Sequence, residues 1–305
     1  MDYTSINGSL HVHARAQVML RTWPGIRLTQ HQFSIKDSHD VDAPSASSKG
    51  LLRAMTGDVL KRGDIKNALR APWIRLNTRD GLHPGDLFNT FEWIMDLSDH
   101  HGLTSAFYFI CGRTSNMDAD YEPEHPAIRA LMRRIHERGH EIGLHPSYGT
   151  YQKPELIAQE AQRLRIVLAE ENIQQNVLGG RMHYLRWEHP TTLRAWADAG
   201  MDYDSTLSYA DRPGFRCGTC FEYPAFDPVA REPSNLRVRP LVTMECSVID
   251  ACYLGLDTGE AAQAKFGKLK NACVAVRGCF TVLWHNSRFQ NKKEKKEYAK
   301  IVQNQ

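Results

Sequence analysis

Short apolar runs alternate along the chain with longer stretches of helical spacing. Gln32 to Ile35, Ser105 to Ile110, Glu141 to Leu144, Val177 to Gly180, Leu241 to Met244 and Phe280 to Trp284 read as strands. Ala127 to Arg138 and Pro154 to Ala169 read as helices. In the first of these, Ile128, Leu131, Met132 and Ile135 fall on one stripe, and Gly139 follows where a helix would stop. Strand, helix, strand in succession predicts parallel strands joined by helices, and in an α/β barrel of that kind the chemistry sits at the C-terminal ends of the strands. Ala43 to Asp64, with Pro44, three serines and Gly50, reads as a loop and short helix. Ser205 to Pro240, rich in Gly, Pro and aromatics, reads as a long irregular insert of the sort that carries function.

Composition narrows the class. A chain of 305 residues, 42% hydrophobic and 24% charged, suits one globular α/β domain with a large core. Its net charge of +3 arises from 38 basic and 35 acidic side chains mixed along the sequence, so no nucleic-acid partner is expected. Lys292, Lys293, Lys295 and Lys296 alternate with Glu294 and Glu297 as a solvated helix face. No apolar run reaches the roughly 18 residues of a membrane span, and no secretory leader is evident. Seven scattered cysteines, an odd number, point to a reducing cytoplasm rather than a disulfide scaffold. Cys217-Gly-Thr-Cys220 lacks the second half of a structural zinc site, so it reads as a loop with two reduced thiols, with contact to substrate as a secondary use.

Five polar clusters follow the predicted strands. In Ser38-His39-Asp40-Val41-Asp42 the two acids stand at alternate positions, so an extended backbone sends both to one side, within reach of one ion. His145 emerges from the apolar Ile142-Gly143-Leu144 run, where an imidazole suits zinc or a similar metal. Ser147 and Tyr148 come next. In Gly179-Gly180-Arg181-Met182-His183-Tyr184-Leu185-Arg186-Trp187 the paired glycines allow close backbone approach, and the aromatics could hold a sugar ring. Tyr203-Asp204-Ser205-Thr206 and Leu283-Trp284-His285-Asn286-Ser287 complete the set, the latter placing a histidine suited to general acid catalysis.

The order of these clusters resembles the polysaccharide deacetylase family, the NodB-homology or carbohydrate esterase family 4 group. The resemblance spans roughly Phe33 to Phe289, leaving an N-terminal extension over 1–32, and is strongest in Arg133 to Tyr148, "RRIHERGHEIGLHPSY". It implies a distorted (β/α)7 barrel in a single domain that removes N-acetyl groups from amino sugars with a divalent metal, zinc foremost. Asp40 resembles the catalytic base and Asp42 the metal-binding aspartate. His145 matches the first metal histidine. Arg181 is similar to the arginine that steadies the base, with Arg186 as an alternative register, and His285 resembles the catalytic acid. The sequence departs at Gly149, where the family places a second metal histidine; His183 is the replacement to look for.

Tyr184, Arg186, Trp187, Ser147, Tyr148, Asp204 and Trp284 are the expected substrate contacts. The expected partner is a nucleotide- or lipid-linked amino sugar met in the cytoplasm during surface polysaccharide or O-antigen assembly, with oligomeric state undetermined. Hydrolysis of another linear amide, and a non-catalytic carbohydrate-binding role, are the competing readings.

Overall fold

In the computed structural model the described residues are 31–46 and 81–303, together with Thr22 and Trp73. Nearly all of the 1–32 extension, and the expected short helix before Asp64, lie outside them.

Among the described residues nine strands share one sheet: β1 (Ser34–Val41), β2 (Ala106–Phe109), β3 (Glu141–Leu144), β4 (Gly179–Gly180), β5 (Tyr203–Asp204), β6 (Tyr223–Asp227), β7 (Glu232–Val238), β8 (Thr243–Met244) and β9 (Cys279–Leu283). Their order is β6-β7-β5-β4-β3-β2-β1-β9-β8. Every neighbouring pair is parallel except the β6–β7 hairpin. Between Phe91 and Ile301 seven α-helices accompany the sheet: α1 (Phe91–His100), α2 (Pro126–Glu137), α3 (Pro154–Glu170), α4 (Thr191–Asp198), α5 (Glu245–Ile249), α6 (Glu260–Ala275) and α7 (Lys292–Ile301). The expected stripe on α2 is buried as drawn, with Ile128, Leu131, Met132 and Ile135 each at 2% exposure or less.

Three expectations need correction. The first strand runs six residues beyond Ile35, so Asp40 lies within β1 and Asp42 just after it, rather than both in a segment beyond the strand's end. Tyr203–Asp204 is itself a strand, too short to show a period. The supposedly irregular insert contains the β6–β7 hairpin; Pro224 and Pro233 disguised it, yet β6 is a sheet edge and Pro233 sits near the start of β7, where a missing N–H is tolerated.

Alternation along β1 divides its polar residues between two faces. Ser38 and Asp40 turn inward toward Arg181, which donates to both. Asp37 and His39 turn outward and are sealed beneath the helices. Asp37 Oδ2 accepts from Ser105 Oγ at 2.5 Å and from Tyr298 Oη of α7 at 2.7 Å. Burial alone would raise the Asp37 carboxyl, but His39, Ser105 and Tyr298 outweigh it and hold it down at about 2.

The inner face is made by large rings set against glycines. Tyr108 and Tyr203 share a hydroxyl hydrogen bond of 3.0 Å. A Cβ at Gly143 would stand 2.5 Å from the Tyr108 ring, and one at Gly180 only 1.8 Å from the Leu144 carbonyl oxygen.

Candidate metal and catalytic site

The ends of β1, β3 and β4 deliver Asp42, His145 and His183 to one place, with candidate ligand atoms all within 4.8 Å of one another. Asp42 Oδ1 lies 3.4 Å from His145 Nε2 and 3.7 Å from His183 Nε2. Tetrahedral ligands about 2.0–2.1 Å from zinc stand about 3.3 Å apart, so the spacing suits such an ion with little movement. Asp42 Oδ1 is buried and makes no hydrogen bond of good geometry, a state that costs free energy unless a cation or donor meets it. Both imidazoles are aimed by their other nitrogen. His145 Nδ1–H donates to the Arg181 carbonyl at 2.6 Å, and His183 Nδ1–H to Asp118 Oδ1 at 3.1 Å, which leaves each Nε2 bare toward Asp42. Burial would raise the Asp42 carboxyl, yet His145, His285 and His183 together hold it well below the usual carboxylate range. The donor set of Asp42, His145 and His183 therefore fits a divalent cation.

Two acid–base groups flank this cluster. Asp40 Oδ1 receives Arg181 Nη1 at 2.7 Å, while its Oδ2 faces His145 Nε2 at 3.7 Å. Arg181 is fully buried and otherwise held by Ser38, the Ser205 carbonyl and the Tyr108 ring, so its guanidinium is fixed before any ligand arrives. On the other side His285 Nδ1–H donates to Glu245 Oε1 at 2.5 Å, and its Nε2 lies 3.6 Å from Asp42 Oδ2. Burial disfavours the imidazolium, but the charges of Glu245, Asp42 and Asp40 overcome that and lift His285 to about 10.

These groups floor a cavity of about 210 Å³ whose wall is Leu185, Met244, Cys246 and Leu283, with Tyr184 and Tyr253 at the mouth. Both tyrosines are largely exposed, at 54% and 42%. Tyr184 and Leu185 hold left-handed backbone, φ 58° and 52°, a conformation that costs non-glycine residues about 1–3 kcal/mol each.

Of the expected substrate contacts, Tyr184 alone lines the cavity. Arg186 packs between the Tyr148 and Tyr151 rings, 4.0 and 3.9 Å from their centroids, and plays no part in steadying Asp40. Trp187 Nε1 donates to buried Asp204 at 2.9 Å, so both are framework beneath the rim. Burial raises the Asp204 carboxyl to about 6 against its hydrogen bonds from Thr206 and Trp187. Ser147 is fully buried and donates through its backbone N–H to Glu160 at 2.9 Å. Tyr148 supports the Tyr184 ring from 5.4 Å. Trp284 is fully buried, stacked on Phe289, because it faces the opposite side of β9 from Leu283 and His285.

Sequence reasoning missed Glu245 and Asp118. Each is a lone carboxylate with no informative spacing; only the partner histidine marks it. The Cys217 and Cys220 thiols do not line the cavity, although Ala210 of the same insert does, and all seven cysteines are free thiols.

No protein-family model and no curated protein sequence matches this chain. Solved structures do. A protein from Mycobacterium smegmatis named as a polysaccharide deacetylase aligns over 91% of this chain and 85% of its own, with 17% identity and a TM-score of 0.57. One so named from Pseudomonas aeruginosa PAO1 aligns over 92% and 85%, with 14% identity and a TM-score of 0.52. The PuuE allantoinase aligns over 92% and 85%, with 12% identity and a TM-score of 0.51. At these identities the likeness establishes the fold, the α/β architecture expected from the motif order.

Proposed function

We propose that this protein is a metal-dependent deacetylase that hydrolyses an N-acetyl or related acyl group on an amino sugar. The observation that carries the reading is the convergence of Asp42, His145 and His183 between a guanidinium-held carboxylate, Asp40, and a carboxylate-held imidazole, His285. A divalent cation held by those three side chains, zinc foremost, would supply a Lewis acid able to polarise an amide carbonyl and to acidify water.

The chain's own groups do the rest. Asp40 Oδ2 is the oxygen left to take a proton from the attacking water, since Oδ1 is engaged by Arg181. His285, held as imidazolium by Glu245, gives its Nε2 proton to the departing amine, which could not leave as an amide anion. Leu185, Met244 and Leu283 shape an apolar berth for the acyl methyl, and the Tyr184 and Tyr253 rings offer faces for a sugar. A nucleotide- or lipid-linked amino sugar of surface polysaccharide or O-antigen assembly, processed in the cytoplasm, is the proposed substrate. Among the described residues no helix is long and apolar enough to cross a membrane.

The test is acetate release from a panel of acetylated amino sugars, run beside metal analysis. Wild-type protein should carry one zinc per chain, lost in His145→Ala. His285→Ala should keep the metal and lose turnover by about 10²- to 10⁴-fold. Loss of metal in His285→Ala would make that residue a ligand and sink its assignment as acid. The likeness to an allantoinase favours a second reading, hydrolysis of another amide on a small metabolite, and simple amides in the same panel separate the two. The three-donor set that His183 completes with Asp42 and His145 weighs against a role in carbohydrate binding alone.

A further inference from the structure

The loop between β2 and α2 holds Asp118, whose side chain is fully buried although the surrounding loop is not. Its oxygens are divided between two tasks. Oδ2 accepts from the backbone N–H groups of Thr114 at 2.9 Å and Ser115 at 2.8 Å, and from the Thr114 hydroxyl at 3.1 Å, which ties the carboxylate to its own loop. Oδ1 accepts from Tyr148 N–H at 2.6 Å and from His183 Nδ1–H at 3.1 Å, so one atom joins the segment after His145 to the turn that carries His183. Those contacts outweigh the cost of burial and hold the Asp118 carboxyl down at about 2.

The same loop accounts for the glycine at 149. A Cβ there would stand 2.9 Å from both Cβ and Oγ1 of Thr114, and Gly149 N–H donates to that Oγ1 at 2.7 Å. Thr114 thus fills the space where a side chain at 149 would begin.

We infer that Asp118 is the positioning residue for His183, fixing the tautomer and ring orientation that make this displaced histidine a metal ligand. The inference rests on the proposed metal site. The reason is chemical: with Nδ1–H given to a carboxylate, the Nε2 lone pair is the one free to bind. An amide at 118 inverts this. With the amide oxygen kept on the two loop N–H groups that Oδ2 now serves, the NH₂ takes the place of Oδ1, gives up the Tyr148 N–H bond, donates to Nδ1 and drives the ring proton onto Nε2, where it blocks coordination.

Zinc affinity, measured by competition with a chromophoric chelator on metal-stripped full-length protein, tests the idea, with the melting temperature of each metal-free variant recorded alongside. Asp118→Asn should bind zinc about 10- to 100-fold more weakly than wild type. Cobalt substituted into that variant should lose the visible absorption of a low-coordinate site. Thr114→Val, which loosens the loop without touching His183, should leave zinc affinity within about threefold, since it keeps the Asp118–His183 bond. Equal affinity in Asp118→Asn and wild type, with His183→Ala weakened, would overturn the role of Asp118 and leave the metal site standing. Equal losses in Asp118→Asn and Thr114→Val would reduce the residue to loop scaffolding and also overturn it. A wild-type protein that binds no zinc would overturn both this inference and the proposed function.

Discussion

At the scale of single residues, the site is two hydrogen-bonded pairs, Asp40 with Arg181 and His285 with Glu245, arranged around Asp42. Glu245, with Asp42 and Asp40, lifts His285 to about 10 in the metal-free protein, and a cation that neutralises Asp42 would draw it down, so the working acid should be lost on the alkaline side at a pH below that value. Glu245→Gln keeps an oxygen for the His285 N–H bonds but removes the charge, which lowers that pKa. The alkaline limb of kcat/KM should move to lower pH by about one unit or more; a limb that stays in place would exclude His285 as the titrating acid. That Asp40, Asp42, His145, Arg181 and His285 belong together was expected from the order of the motifs and the family they resemble, His145 and His285 being marked in addition by the apolar runs before them. Trp284 could not be assigned correctly by proximity to His285, since side chains at successive strand positions face opposite ways. Asp118 and Glu245 had no such signal, because a carboxylate aimed at an imidazole distant in sequence leaves no local pattern.

At the scale of elements, long periodic segments were legible and short ones were not. Helices α2 and α3 matched their apolar spacing to within a residue or two at each end. Strands β4 and β5, of two residues each, are set by pairing with neighbours rather than by their own composition. The glycines show why β4 must be lean. Gly180→Ala would press a methyl against the Leu144 carbonyl oxygen, a backbone atom that cannot move aside. We expect a loss of about 3 kcal/mol or more in denaturant unfolding. Gly267, in the interior of α6 with nothing within 4 Å of an added Cβ, should behave oppositely, Gly267→Ala gaining about 0.5–1 kcal/mol. Similar effects at the two positions would refute this account of the inner face.

At the scale of the whole molecule, the first described strand and the last helix are locked together by a polar contact sealed from water. Tyr298 Oη on α7 donates to Asp37 on β1, beside His39, whose Nδ1 pairs with the Trp284 carbonyl at 2.6 Å. Because Asp37 is depressed to about 2 in the folded state, its contribution is complete above the unfolded carboxylate value of about 4 and fades as pH falls toward 2. Tyr298→Phe should cost about 1–3 kcal/mol at neutral pH. It should also start acid unfolding at a higher pH, because Asp37 loses a donor that favours its charged form. Circular dichroism across an acid titration would show this; an unshifted acid transition would mean that the contact contributes little.

The three candidate ligands sit at positions 42, 145 and 183, with no two on one local segment. A histidine pair four residues apart can chelate an ion from a nearly unfolded chain, since closing so short a loop is cheap. Here the separations are 103 and 38 residues, so in an unfolded chain these three donors do not meet, and the candidate site exists only once β1, β3 and β4 have paired. A cation at the proposed site would therefore enter after these strands are in place, and would favour the folded chain over the unfolded one increasingly as its concentration rises.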